Sequence, residues 1–226
     1  MLKNDKLDVR MKRLYRVTNT DFARFTTLRT ITGHNVNLYL TVLIITGVCL
    51  GLQFEPAASW AAWDNTAIMH GEWWRIVTGN FTHTNFYHLG MNIAALWLII
   101  WIFKPTSRQF VGLLALNSVV IGAALFTSSL THYVGLSGVL HGLFAFWALQ
   151  EALNGRRTSW ILCGAVVAKI VWEQTVGPAH ETQVLIGARV ATQAHLTGML
   201  TGFIAAGWQH WRSLLAKKHT THNSLL

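Results

Sequence analysis

Charge is what this 226-residue sequence has least of. Asp, Glu, Lys and Arg together make up 12% of it, against about 25% in a typical soluble domain. That scarcity excludes an ordinary water-facing surface. It is concentrated in long stretches free of charge, several of which reach the ~20 apolar residues needed to cross a bilayer. Cysteine is nearly absent as well. Cys49 and Cys163 both sit inside apolar runs, which excludes a disulfide framework and reads them as small buried hydrophobes. Acidic residues number nine against 18 Lys plus Arg, a formal charge of +9. An excess of this kind can signal nucleic acid. Here the positive charges sort by position instead, so a lipid bilayer is the partner and nucleic acid is not.

The apolar runs predict an all-α membrane protein with six spans, at about 37–54, 84–105, 107–130, 136–153, 158–177 and 190–215, in a domain over residues 37–215. A basic segment, 1–36, precedes it and a basic tail, 216–226, follows. No cleavable signal peptide is apparent, and the first span reads as a signal anchor. Eight Lys and Arg fall in 1–36. Lys104, Arg108, Arg156, Arg157, Arg212, Lys217 and Lys218 fall on the same side of the predicted spans. The opposite side holds Arg75 and Arg189, and Lys169 lies within the fifth span. The positive-inside rule puts both termini in the cytoplasm, in agreement with an even number of spans. The segment 55–83 then faces outward. Its Trp60, Trp63, Trp73 and Trp74 suit the headgroup level, so the loop is expected in or on the outer leaflet.

Ionisable and strongly polar groups inside a membrane are costly and mark function by default. Three spans begin on the outer side and carry such groups within about two turns. The second holds His88 and Asn92, four apart and on one helical face. The fourth opens Gly135-Leu136-Ser137-Gly138, with His141 four residues beyond Ser137. The sixth holds His195. These groups fall at one depth below the outer surface. Gly138-x-x-x-Gly142 and Gly198-x-x-x-Gly202 are patterns that let helix backbones approach closely in lipid, so the fourth and sixth spans are the expected packing pair.

Taken alone, Ser137 reads as an N-cap, a lone membrane His divides evenly between a structural hydrogen bond and function, and paired glycines read as packing. In combination they point to a nucleophilic serine whose proton is taken by His195. Acyl transfer also needs fixed donors for the developing oxyanion. Three are offered: the Ser137 backbone N–H at a helix N-terminus, the Asn92 amide and the His88 imidazole. No acidic residue is expected at this depth in the spans that touch, which predicts a Ser–His pair without a third acidic member.

Lys169 and Glu173, four apart on the fifth span, either neutralise one another or leave Glu173 and Gln174 to line a substrate entrance. His83 precedes the second span and either bonds the outer loop or shapes the oxyanion site. His141 is left open between orienting His195 and bonding substrate. A competing reading, a metal or haem site at His88, His141 and His195, would suit neutral imidazoles. It lacks a carboxylate or thiol at that depth and leaves the Gly flanking of Ser137 unexplained, so no metal and no cofactor is assigned.

These motifs resemble the rhomboid intramembrane proteases: Trp74-Arg75, His88-x-x-x-Asn92, Gly135-Leu136-Ser137-Gly138 and Ala194-His195-x-x-Gly198, covering about 37–210. The resemblance implies a six-helix bundle, a Ser137–His195 dyad, and oxyanion donors at His88, Asn92 and the Ser137 N–H. Many rhomboids carry an aromatic residue where this sequence has His141. The run Gly135–Gly142 and Lys169-Ile170-Val171-Trp172-Glu173-Gln174 look like the rhombosortase subgroup. That subgroup implies cleavage of membrane-anchored proteins whose C-terminal tail carries a Gly-Gly-type motif, one transmembrane helix and a basic cluster. The setting implied is a Gram-negative inner membrane, with the site open to the periplasm. The remaining readings are a conventional rhomboid with other substrates and a non-catalytic relative that binds membrane helices.

Overall fold

Inside lipid no water is present to satisfy backbone N–H and C=O groups, so a lone chain segment must bond to itself. Helix is the outcome here. The computed structural model describes residues 37–223, and the predicted leader 1–36 lies outside them. Six long helices stand where the apolar runs predict spans: α1 Asn37–Gly51, α5 Phe86–Phe103, α6 Ser107–Ala124, α7 Ser137–Leu153, α8 Ser159–Thr175 and α10 Thr192–Asn223. Short helices fill the connections between α1 and α5 and between α8 and α10: α2 Ala57–Ala61, α3 Asn65–Met69, α4 Arg75–Thr78 and α9 His180–Ile186.

Among the described residues, two stretches are long and apolar enough to cross a membrane by length and composition, Phe86–Phe103 and Ser107–Thr127. The others fall short for identifiable reasons. α1 is short, and α7 and α8 have 17 residues each; α7 also opens on Ser137 and Gly138 and carries His141. α8 holds Lys169 and Glu173. α10 holds His195 and runs past the predicted end at 215 to Asn223, so part of the expected tail is helix. Large apolar side chains nonetheless face outward on α1, α5, α6, α8 and α10. Leu43, Leu98, Trp101, Val119, Ile161 and Ile204 are all exposed.

Helix ends follow local chemistry. The Asn85 side chain accepts from the His88 N–H and starts α5. Thr106 does the same for Gln109 at the head of α6. Between them Lys104 takes a left-handed conformation, φ 45°, just before Pro105. The core runs through the middle of the bundle, on Leu96, Ile100, Ile121, Leu136, Leu143 and Phe146, all buried. Cys49 and Cys163 are buried free thiols.

The outer loop departs from expectation twice. It pairs with the connection before α7 as a two-stranded antiparallel sheet, β1 Trp63–Asp64 with β2 His132–Tyr133, in the register Trp63↔Tyr133 and Asp64↔His132. The fold is therefore not purely helical. Trp63 is also not a headgroup residue. It is fully buried, and its indole N–H donates to the Gly122 carbonyl at 3.0 Å, since a buried Trp needs an acceptor for that proton. Trp60 and Trp74 fit the expectation better. They stack at 5.0 Å and stay exposed, as does Trp73.

Arg75 holds this loop together. It is buried, donates through Nη1 to the carbonyls of Ser59 and Ala62 at 2.7 Å each, and pairs through Nε with Glu72 at 2.6 Å. Only a guanidinium offers donors splayed widely enough for three such acceptors. Arg75→Ala is expected to destabilise the protein by about 1.5–3 kcal/mol, the range for hydrogen bonds to a charged group. Thermal unfolding in detergent micelles measures it, and an unchanged transition would show that the loop holds without the clamp.

Candidate active site

The site forms where α7 and α10 meet, and glycine permits the meeting. The two make the most extensive helix pair in the fold. A Cβ on Gly198 would overlap the Gly138 carbonyl, and one on Gly202 the Gly142 carbonyl. A Cβ on Gly138 would lie 3.0 Å from the Ala194 carbonyl. The small-x-x-x-small patterns thus interlock as read from sequence. Ser137, the first residue of α7, and His195, in the first turn of α10, end up side by side.

Ser137 Oγ lies 2.8 Å from His195 Nε2. His195 Nδ1 lies 2.8 Å from Glu173 Oε2. A carboxylate oxygen can only accept, so Nδ1 carries the proton. Nε2 is then the acceptor, and the Ser137 hydroxyl donates to it. His195 is buried. His141 stacks on it, with ring centroids 4.2 Å apart and planes 22° apart. The His141 Nδ1–H donates to the Ser137 carbonyl one turn back, at 2.7 Å. His141 is therefore a flat wall fixed against His195, in the place where the resemblance implied an aromatic ring.

Glu173 corrects two expectations. It does not line an entrance: it is buried and turned inward, bonded to His195 and paired with Lys169. A carboxylate does share the depth of the Ser–His pair. α8 runs upward, so its end, not its beginning, reaches the level where α5, α7 and α10 start, and a search limited to downward-running spans passes over it. Gln174 is exposed, and its amide donates to the Thr192 carbonyl at 3.0 Å, tying α8 to the head of α10.

His88 and Asn92 line the same cavity as Ser137 and His195, a space of about 270 Å³. The Asn92 Nδ2 is buried without a hydrogen-bond partner, a donor held in reserve. His88 presses its Nε2 edge toward Gly135. A Cβ there would come within 2.9 Å, and Gly135 also has φ 128°, a conformation other residues adopt only with strain. His83 is buried with neither ring nitrogen bonded and packs edge-on to His88 at 5.0 Å. Burial, with the nearby His88 adding to it, pushes the His83 pKa down to about 3, so the ring is neutral.

The sequence reading missed Thr84, Asn85 and α9. The Thr84 hydroxyl donates to the Ile186 carbonyl at 2.6 Å, and the Asn85 amide to the Leu185 carbonyl at 3.0 Å. Together they fasten α9 over the cavity. Asn85 as an N-cap was legible; its second bond, a hundred residues away, was not.

His141, Glu173 and His195 place ligand-type atoms within 4.8 Å of one another. This is not the set His88, His141 and His195 considered from sequence. Both His195 nitrogens are already engaged, and stacked rings point their in-plane lone pairs alongside each other rather than at a common centre. The geometry favours proton transfer over metal ligation.

A serine hydroxyl 2.8 Å from a buried imidazole, at the head of glycine-packed helices, is an arrangement that a membrane-embedded serine hydrolase would use. Comparison with known proteins agrees. The Rhomboid domain profile matches residues 70–212. The chain is 24% identical over 205 residues to the rhomboid protease GlpG of Yersinia enterocolitica, covering 84% of this chain and 69% of that one. It is similar to the same degree to those of Yersinia pestis (strain Pestoides F) and Yersinia pseudotuberculosis (serotype O:3). The chain belongs to the rhomboid family and is an intramembrane serine protease of that type.

Gly198→Val is expected to wedge α10 off α7 and part Ser137 from His195. Labelling by a fluorophosphonate probe should fall at least tenfold, as a displacement of about 1 Å can cost 10² in rate. Labelling at the wild-type rate would mean that the carbonyl contact does not set the Ser–His distance.

Proposed function

We propose that this protease is a rhombosortase. It would cut single-span proteins at a Gly-Gly-type motif ahead of a C-terminal transmembrane tail, using Ser137 as nucleophile and His195 as general base. The observation that carries the chemistry is the one-way hydrogen-bond chain, in which Ser137 Oγ–H donates to His195 Nε2 at 2.8 Å.

The cycle follows from that chain. A scissile carbonyl arrives beside Ser137, His195 takes the hydroxyl proton, and an acyl-enzyme forms. The oxyanion is met by the Ser137 N–H at the head of α7, by Asn92 Nδ2, and by His88 when its Nε2 carries the ring proton. His195 then protonates the leaving amine, and water or another acceptor resolves the ester.

The substrate class rests on the runs Gly135–Gly142 and Lys169–Gln174. An apolar crevice of about 330 Å³ between α5, α7 and α8, lined by Leu98, Ile102, Leu140, His141, Phe144 and Lys169, supports lateral access by a membrane helix. Small residues in that helix ease its unwinding, since Gly weakens a helix by about 1 kcal/mol relative to Ala. In this reading all six long helices cross the bacterial inner membrane, both termini are cytoplasmic, and the cavity opens to the periplasm.

Ser137→Ala is expected to abolish cleavage of a reporter carrying a Gly-Gly-type tail, and Asn92→Ala or His88→Ala to lower turnover by about 10–10³. Wild-type turnover in either of the latter would remove that residue from the oxyanion site. A companion reporter with Leu-Leu replacing Gly-Gly should resist cutting. Equal cutting of the two would favour a conventional rhomboid specificity.

A further inference from the structure

Resting on the assignment of Ser137 and His195 above, we propose that Glu173 is a positioning residue for His195. The dyad becomes a three-member chain, Ser137–His195–Glu173, with Lys169 as the counter-ion that lets Glu173 keep its charge inside the membrane.

A salt bridge between α8 residues four apart needs only one carboxylate oxygen. Glu173 uses both. Oε1 pairs with Lys169 Nζ, while Oε2 accepts from His195 Nδ1–H at 2.8 Å. Glu173 and His195 are 8% and 5% exposed, so the bond between them is sheltered from water and from salt. It does two things a base requires. It holds the proton on Nδ1, which turns the bare Nε2 toward Ser137. It also sets a negative charge against the imidazolium that forms when the Ser137 proton arrives. The proton moves from Oγ to Nε2 and later to the leaving amine. Nδ1 keeps its own proton, and Glu173 does not take it. The stacked His141 ring blocks rotation out of plane, so His195 is fixed in both position and tautomer.

The other titratable and charged groups around His195 are His141 on α7, His88 on α5, Lys169 on α8, and Arg189, His132 and Tyr133 in the connections lining the same cavity. All are neutral or positive. Glu173 is therefore the single negative charge in that set, and its removal has a predictable sign. A weaker base results, and the acid limb of the pH–rate profile moves to lower pH.

The test is the rate of fluorophosphonate labelling of purified full-length protein in detergent, from pH 5 to 9, with thermal unfolding alongside. Glu173→Gln is expected to label more slowly by about 10² or more, with the acid limb displaced to lower pH. Glu173→Asp should recover part of the rate and return the limb toward its wild-type place. A wild-type rate and limb in Glu173→Gln would overturn the proposal, and so would a lost rate with the limb unmoved, the mark of a merely structural residue. If the amide variant does not fold, Lys169→Gln reads the same chain: loss of the positive charge should move the limb to higher pH, and an unmoved limb overturns the proposal. Ser137→Ala separates the two layers, because labelling that survives it removes the nucleophile itself and not the role of Glu173.

Discussion

The contact between the α7 and α10 backbones governs the rest of the structure. Lipid gives two apolar helices no hydrophobic reason to associate, so close packing must supply the attraction. Gly138 and Gly142 on one helix and Gly198 and Gly202 on the other remove the side chains that would hold the axes apart. The carbonyls of Gly138 and Gly142 occupy the space where the Cβ atoms of Gly198 and Gly202 would be. Once the register of that contact is set, the heights of Ser137 and His195 follow, as does the 2.8 Å between them. The hydroxyl and the imidazole need no adjustment of their own, because rigid elements deliver them.

Around this contact, polar groups are handled in two ways. Some that shape the scaffold are saturated. Arg75 meets two carbonyls and a carboxylate, Trp63 meets Gly122, and Tyr133 donates to the Gly135 carbonyl at 2.7 Å. Others are left short, at the cavity and away from it: the side-chain oxygens of Asn80, Thr82, Asn117 and Ser118 are buried without a partner too. Asn92 Nδ2 and both nitrogens of His83 are buried with no partner, at a cost of about 1–3 kcal/mol per unmet group.

Much of this was legible from residue order alone. The long helices begin within a few residues of the apolar runs, though α6 stops short of its predicted end and α10 overruns it, and Ser137, His88, Asn92 and His195 line one cavity because equal depth on parallel helices leaves little alternative. What escaped depends on direction or on distant pairing. Glu173 sits near the end of an upward helix, so its level cannot be compared with the others until α8 is laid antiparallel to them. Trp63 carries the same letter as its exposed neighbours Trp60 and Trp73, and only its pairing with Tyr133 across β1 and β2 turns it inward. The bonds from Thr84 and Asn85 to α9 join segments a hundred residues apart and leave no periodic trace.

Those last two bonds carry a mechanical consequence. Thr84 and Asn85 are at once the fastenings of α9 and the residues that seat His88: Asn85 accepts from the His88 N–H at 2.9 Å, and the Thr84 hydroxyl oxygen lies 3.1 Å from the His88 ring. Lifting α9 pulls on the same two side chains that aim the imidazole. The cover and the imidazole beneath it thus share one hinge pin, and an uncovered cavity is one whose His88 has lost part of its alignment.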